Sequence, residues 1–142
     1  MEENFKISHH NNRILHFTVG ALIEQDGKYL LIDRALPPLG FACVAGHIDE
    51  GEEPINAVKR EIKEESNLDA KEVTLVDEET LDWNWCSKGA TQHHWCIYKC
   101  KVNGKIKRNE ESKSIGWFYP EEIRTLKLEP SWEYWFKKLK II

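Results

Sequence analysis

Leu15, Phe17, Val19, Ala21 and Ile23 put an apolar side chain at every second position between residues 14 and 24. Only a strand sends alternate residues to one face, so this run predicts a long strand with one packed side. Asp26-Gly27 follows at once. A two-residue type I′ turn needs positive φ at both central positions, and an Asp-Gly pair meets that demand. Lys28 to Arg34 then predicts the returning strand of a hairpin. Pro37-Pro38-Leu39-Gly40 reads as a loop, and Phe41 to Ala45 as a short apolar piece.

The pattern changes after residue 45. Residues 46–53 are glycine-punctuated and acidic and read as a loop. Pro54 suits the first turn of a helix, where its missing N–H costs nothing. Ile55, Val58 and Ile62 fall at i, i+3 and i+7 and predict one buried stripe along that helix. Asn67 tolerates the left-handed conformation of a helix end and marks the stop. Val73 to Trp85 and Thr91 to Val102 predict two more strands, joined by a loop containing Gly89. Asn103-Gly104 reads as a turn, Ser114 to Tyr119 as a last strand, and Trp132, Trp135, Phe136 and Leu139 as one face of a final helix. This mixed order predicts an α+β fold, a sheet flanked by helices. With no repeat, low-complexity tract or linker, the 142 residues read as one domain over 1–142.

Charge and composition exclude several classes of partner. The 20 Lys and Arg against 24 Asp and Glu leave a net charge of −4, and a nucleic-acid polymer asks for clustered excess positive charge. No apolar run approaches a membrane span; Ile14 to Ile23 is interrupted by His16 and Thr18. Met1-Glu2-Glu3-Asn4-Phe5-Lys6 lacks the basic-then-apolar order of a signal peptide. A cytoplasmic protein is expected, with its four cysteines reduced. Cys96 and Cys100, with His93 and His94 nearby, raise the question of zinc. Four residues apart on a strand, however, they stand ~13 Å from each other, too far to share an ion. Cys43, Cys86, Cys96 and Cys100 therefore read as free thiols, mostly buried.

Gly46 to Leu68 is the stretch that carries chemistry. Glu61, Glu64 and Glu65 lie at i, i+3 and i+4, which stacks three carboxylates on one helix face, expected to point away from the apolar stripe. Like charges so placed repel, and a hard divalent cation among them reverses the sign. Glu52 can approach the same patch from the preceding loop, and Arg60 stands beside it, placed to pair with a carboxylate and hold the loop against the helix. Taken alone, Glu61-Ile62-Lys63-Glu64-Glu65 also reads as an ordinary solvated acidic face.

The larger spacing narrows the choice. Gly46, five residues, Glu52, seven residues, then Arg60-Glu61-Ile62-Lys63-Glu64-Glu65-Ser66-Asn67-Leu68 resembles the Nudix box. The departures are Asn67, where the box has glycine, and Val44-Ala45, where many members have Pro-Gly. The order of strands and helices around the box also looks like the Nudix fold, a mixed β-sheet sandwiched between helices. The resemblance implies hydrolysis of a pyrophosphate link in a nucleoside diphosphate joined to a further group, X, with Mg²⁺ or Mn²⁺ as cofactor. By position it implies Glu61, Glu64 and Glu65 as metal ligands and catalytic carboxylates, Glu52 and Gly46 as supporting members of the metal site, and Arg60 as the arginine that braces it. It further implies a carboxylate from the loop before the late Trp-Phe strand. Glu111 is the first choice and Glu110 the second, against the alternative of an exposed charged loop.

Substrate contacts are less determined. Arg34 ends the second strand, where the family often carries a basic residue facing phosphates; a plain surface arginine is the alternative. Trp83 and Trp85 alternate with Leu81 and run into the Cys86 to Ala90 loop, so their rings either stack on a nucleobase or pack. His47 reads as a loop residue. The partner implied is a small nucleotide, and the resemblance also admits a homodimer. An alternative of another class is a Nudix-fold sensor that binds a nucleotide metabolite without cleaving it. Such relatives commonly have eroded boxes, whereas all four glutamates and the arginine stand here.

Overall fold

The hairpin and the helix on it form as the sequence requires, and the second face of the long strand is the surprise. A computed structural model describes residues 4–142. In chain order its elements are β1 (Ile7–His10), β2 (Arg13–Gln25), β3 (Lys28–Arg34), β4 (Gly40–Ala42), β5 (Val44–His47), α1 (Pro54–Ser66), β6 (Asp69–Leu81), β7 (Gln92–Asn103), β8 (Ser112–Phe118), α2 (Pro120–Ile123) and α3 (Pro130–Lys138). Among the described residues no helix is long and apolar enough to cross a membrane.

Strand β2 is the hub. It pairs antiparallel with β1, β3 and β5 and parallel with β7, and β6 extends the sheet beyond β7. On the other side β3 is flanked by β4 and β8. Asp26 and Gly27 both take positive φ, at 54° and 77°, in the tight turn between Gln25 and Lys28. Asn11 and Asn12 do the same, at 52° and 62°, and turn the chain from β1 into β2. Strand β1 is exposed, so no alternation announced this hairpin.

Strand β2 is packed on both sides rather than one. Val19, Ala21 and Ile23 join Val58 and Ile62 of α1 in one core cluster, while Leu22 joins Ile97, Trp132, Trp135 and Phe136 in a second. Gly20 explains how α3 comes so close, since a Cβ there would stand 2.7 Å from the Trp132 ring. His16 and Thr18 are buried as well. In the sequence they only interrupted an apolar run; in the fold His16 meets His47 and Thr18 donates to the Gly46 carbonyl.

Three further expectations are corrected. Gly46 and His47 belong to β5, paired with Val19 and Thr18, so the loop begins only at Ile48. Helix α1 does not bury Ile55, which is 41% exposed. Its inner face is Ala57, Val58, Glu61, Ile62 and Glu65, so two of the three stacked carboxylates lie beside the apolar stripe instead of away from it. Strand β6 ends at Leu81, four residues early, because buried Asn84 turns inward. Its side-chain oxygen accepts from Trp95 Nε1 at 2.8 Å, and the chain bends to allow this. All four cysteines are unpaired, with Cys43, Cys96 and Cys100 buried.

Candidate active site

The box helix starts at Pro54 and ends at Asn67, which takes φ 68° in the left-handed region and bonds back to the Lys63 carbonyl. Asparagine thus supplies the conformation that a glycine would. Arg60, at the centre of this helix, gathers the loop before it. Its Nε and Nη2 donate to the two Glu52 oxygens, both at 2.9 Å, and Nη2 also reaches the His47 carbonyl at 3.0 Å. Nη1 donates to Glu61 at 2.7 Å and Glu64 at 3.2 Å. Such a forked pair fixes direction as well as distance. Glu52 in turn accepts from the Asp49 amide at 3.0 Å, and the Arg60 hydrogen bond holds its carboxyl below the usual range.

Glu61 and Glu65 are 8% and 2% exposed. Burial first, then repulsion from Glu64 and Glu111, pushes the Glu61 pKa up to about 7 against the pull of Arg60. Burial, Glu61 and Glu111 raise Glu65 further, although one of its oxygens accepts from the Ala45 amide at 3.1 Å. Gly46 leaves room for the Glu61 carboxyl group, which a Cβ there would displace. Its carbonyl accepts from Thr18 Oγ1 at 2.7 Å.

These groups line a cleft of about 310 Å³ that brings Glu61, Glu64, Glu65, Glu111, Arg34 and Trp85 together. Glu111 arrives there on a docked loop. Asn109 donates to the Glu64 carbonyl and accepts from the Glu111 amide, each at 2.9 Å, and the Glu111 carbonyl takes the Ala35 amide at the same distance. Arg34 is aimed by a 2.8 Å bond from its Nε to the Pro38 carbonyl. Glu52 stands behind Arg60 and Glu110 lies outside the lining. The two tryptophans part: Trp85 borders the cleft, whereas Trp83 turns edge-on to Tyr134. With both outside β6, their alternation in the sequence places them on no common face.

The cleft also contains residues that the sequence did not single out. Thr18, Lys88 and His93 line it, with His47. Burial and the neighbouring imidazoles depress His47 to a pKa of about 3; burial depresses His93 to about 4 despite a hydrogen bond to Asn84. In the sequence Thr18 stood as a polar residue inside an apolar run, His93 was weighed only beside Cys96 and Cys100, and Lys88 carried no signal.

The NUDIX domain profile matches residues 14–139. The chain belongs to the Nudix family. It is therefore a hydrolase acting on nucleoside phosphates, and the expected α+β Nudix architecture is the one present. Nucleoside triphosphatase NudI of Escherichia coli O139:H28 is 30% identical over 118 residues, covering 72% of this chain and 80% of that protein. A NUDIX hydrolase from Nitrosomonas europaea superposes with a TM-score of 0.67 at 27% identity, over 82% of this chain and 78% of the other. The MutT protein of Bacillus halodurans shares the fold, with a TM-score of 0.71 at 18% identity over 86% and 80%. Nudix hydrolases generally use divalent metals, and the carboxylate cleft provides the donors for one.

Proposed function

We propose that this Nudix protein is a Mg²⁺-dependent nucleotide pyrophosphohydrolase, with Mn²⁺ as an alternative ion. Its substrate is a nucleoside triphosphate or another nucleoside diphosphate joined to X. The observation that carries the reading is the convergence of Glu61, Glu64, Glu65 and Glu111 on one cleft that also holds Arg34. The 30% identity with a nucleoside triphosphatase puts triphosphates first among the candidates. The same reading makes the protein a cytoplasmic enzyme of free nucleotides, acting on neither a polymer nor a membrane.

The residues fit a hard divalent cation. Four carboxylates face one space, two of them with pKa values raised by burial and then by neighbouring carboxylates, and oxygen donors crowded in this way suit Mg²⁺. Glu61, Glu64 and Glu65 would hold the ion, with Glu111 and the Gly46 carbonyl adding oxygens and Glu52 supporting the set through Arg60. When bound, such an ion neutralises charge on the phosphoryl oxygens. The chain itself does the rest. Arg34 binds the phosphates, Trp85 offers a face to the base, and one of the cleft carboxylates accepts the proton of the attacking water.

The test is a product-release screen with Mg²⁺ over dNTPs, oxidised dNTPs, ADP-ribose, NADH, sugar nucleotides and dinucleoside polyphosphates. Coupled pyrophosphatase and phosphatase reveal both product types. One compound should be turned over far faster than the rest, with dependence on Glu65. Tight binding with no product across the whole panel would favour the sensor reading instead.

A further inference from the structure

Four side chains far apart in sequence meet at the wall of the cleft. His16 comes from β2, His47 from β5, His93 from β7 and Cys86 from the loop between β6 and β7. One donor atom from each lies within 4.8 Å of all the others. His16 Nδ1 and His47 Nε2 are 3.2 Å apart, His47 Nε2 and His93 Nε2 are 3.3 Å apart, and Cys86 Sγ is 3.6 Å from His16 Nδ1. A tetrahedron with metal–nitrogen bonds of about 2.0–2.1 Å and a metal–sulfur bond of about 2.3 Å has edges of about 3.3–3.6 Å. The three distances lie within about 0.1 Å of such edges, and the remaining pairs lie within 4.8 Å. We propose that His16, His47, Cys86 and His93 bind one Zn²⁺ ion, in a site that uses none of the cleft glutamates and goes beyond the pyrophosphohydrolase reading.

Proton bookkeeping among the rings points the same way. His93 Nδ1 lies 2.8 Å from the Asn84 carbonyl. A carbonyl only accepts, so that nitrogen carries the proton and Nε2 presents a lone pair. His47 Nε2 faces this lone pair and His16 Nδ1 together. If His47 Nε2 carries the proton it serves only one of these two neighbours, and if it accepts from His16 Nδ1 it meets the His93 lone pair unbonded, whereas a cation between the rings takes a lone pair from each. The Asn84 carbonyl is then the outer partner that fixes the ligand tautomer.

The surroundings hold the four side chains in place. Phe5 packs on His47 with ring centres 4.3 Å apart and edge-on to His16 at 5.8 Å. It is held there by bonds from Lys6 to Ile48 and from Glu50 to Asn4, each 2.8 Å. Cys86 is presented by a tight turn, its amide bonded to the Ala90 carbonyl at 3.0 Å, with Gly89 at φ 100°. A nitrogen–sulfur tetrahedron with four protein ligands selects zinc over Mg²⁺ and has no open position for a reacting water. On binding, Cys86 Sγ–H gives up its proton and its lone pair forms the metal–sulfur bond. The ion ties the Asn84–Ala90 loop, and with it Trp85 and Lys88, to the sheet beside the glutamates. It therefore acts as a positioning centre, expected to set KM more than kcat.

The experiment is metal analysis of the purified full chain after Zn²⁺ loading and desalting, with a parallel Co²⁺ preparation read by visible absorption. One zinc per chain is expected, together with a tetrahedral Co²⁺ spectrum carrying a thiolate-to-cobalt charge-transfer band. Cys86→Ser should abolish that band, and His93→Gln should weaken Zn²⁺ affinity by more than the roughly 100-fold that losing an outer partner costs. Glu64→Gln should keep the zinc. Wild-type spectra remain decisive if either ligand variant fails to fold. Cys96→Ser serves as the control, because Glu78, His94 and Cys96 also lie together. The proposal is overturned if zinc is lost on desalting, if the Co²⁺ form lacks the charge-transfer band, or if the band disappears in Cys96→Ser but not in Cys86→Ser. It is overturned equally if Glu64→Gln loses the metal, which would place it among the carboxylates. Metal content is read without turnover, so its failure and that of the enzymatic reading are separate results.

Discussion

Glu65 shows how one side chain couples chemistry to stability. Its carboxyl is buried among like charges and its pKa is raised, so a charge there costs the metal-free fold something that a neutral amide avoids. Glu65→Gln should lower kcat roughly 100- to 1,000-fold, the size of several kcal/mol of lost charge stabilisation. The same variant should melt higher than wild type in chelator at high pH, and the gap should shrink as pH falls and that carboxyl takes up its proton. Paired thermal melts check this, and equal melting temperatures at every pH would show that Glu65 is not strained. Gly46→Ala places a methyl group on the Glu61 carboxyl. A misfit of that kind typically costs about 1–3 kcal/mol, and here it should also remove activity. The glutamates, Arg60 and Gly46 were legible because a fixed spacing joins them. His16, Thr18 and His93 were not, because their meeting depends on strand register: His16 lies opposite His93, and Thr18 opposite His47.

At the scale of elements, the sequence declares what local physics decides. The Asp26-Gly27 hairpin, the Pro54 start and the Asn67 stop all depend on backbone angles that neighbouring residues set. Asn67→Ala should cost about 1 kcal/mol, because alanine lacks the short polar side chain that eases the left-handed conformation and loses the Asn67 Nδ2 bond to the Lys105 carbonyl, and should leave kcat unchanged at saturating metal; chemical denaturation measures the first and steady-state assay the second. What the sequence conceals is the second layer. Alternation along β2 reveals which residues share a face, but it cannot say that the other face is covered by α3. Gly20→Ala tests that packing: its Cβ meets the Trp132 ring and Ile97. An overpacked methylene here should destabilise by about 1–3 kcal/mol. The early end of β6 was hidden for a similar reason, since Asn84 turns inward to partners in β7 that only the assembled sheet supplies.

For the whole molecule, the buried groups set opposing pH limits. His47 and His93 have folded pKa values below the ordinary 6.5, about 3 and 4. Their unfolded forms bind protons first, so stability is lost as pH falls below 6.5. Glu61 is shifted the other way, from 4.5 to about 7, and Glu65 upward as well; stability from their protonated forms is present at low pH and lost as pH rises through that window. Metal-free protein should therefore be most stable in a broad range near pH 4.5–6.5, and Mg²⁺ should raise the melting temperature more at pH 8 than at pH 5. A metal-free curve still rising at pH 8 would contradict the carboxylate assignment. The parallel pairing of β2 with β7 sets a further condition, this one on biosynthesis. Leu15 pairs with Gln92 and Ile23 with Cys100, so the central strand leaves the ribosome well before its partner has been translated. Until then its doubly apolar surface has only the neighbouring hairpin strands to cover it. A stalled or truncated nascent chain would thus leave an apolar strand without its partner, which makes early chaperone capture valuable during this interval.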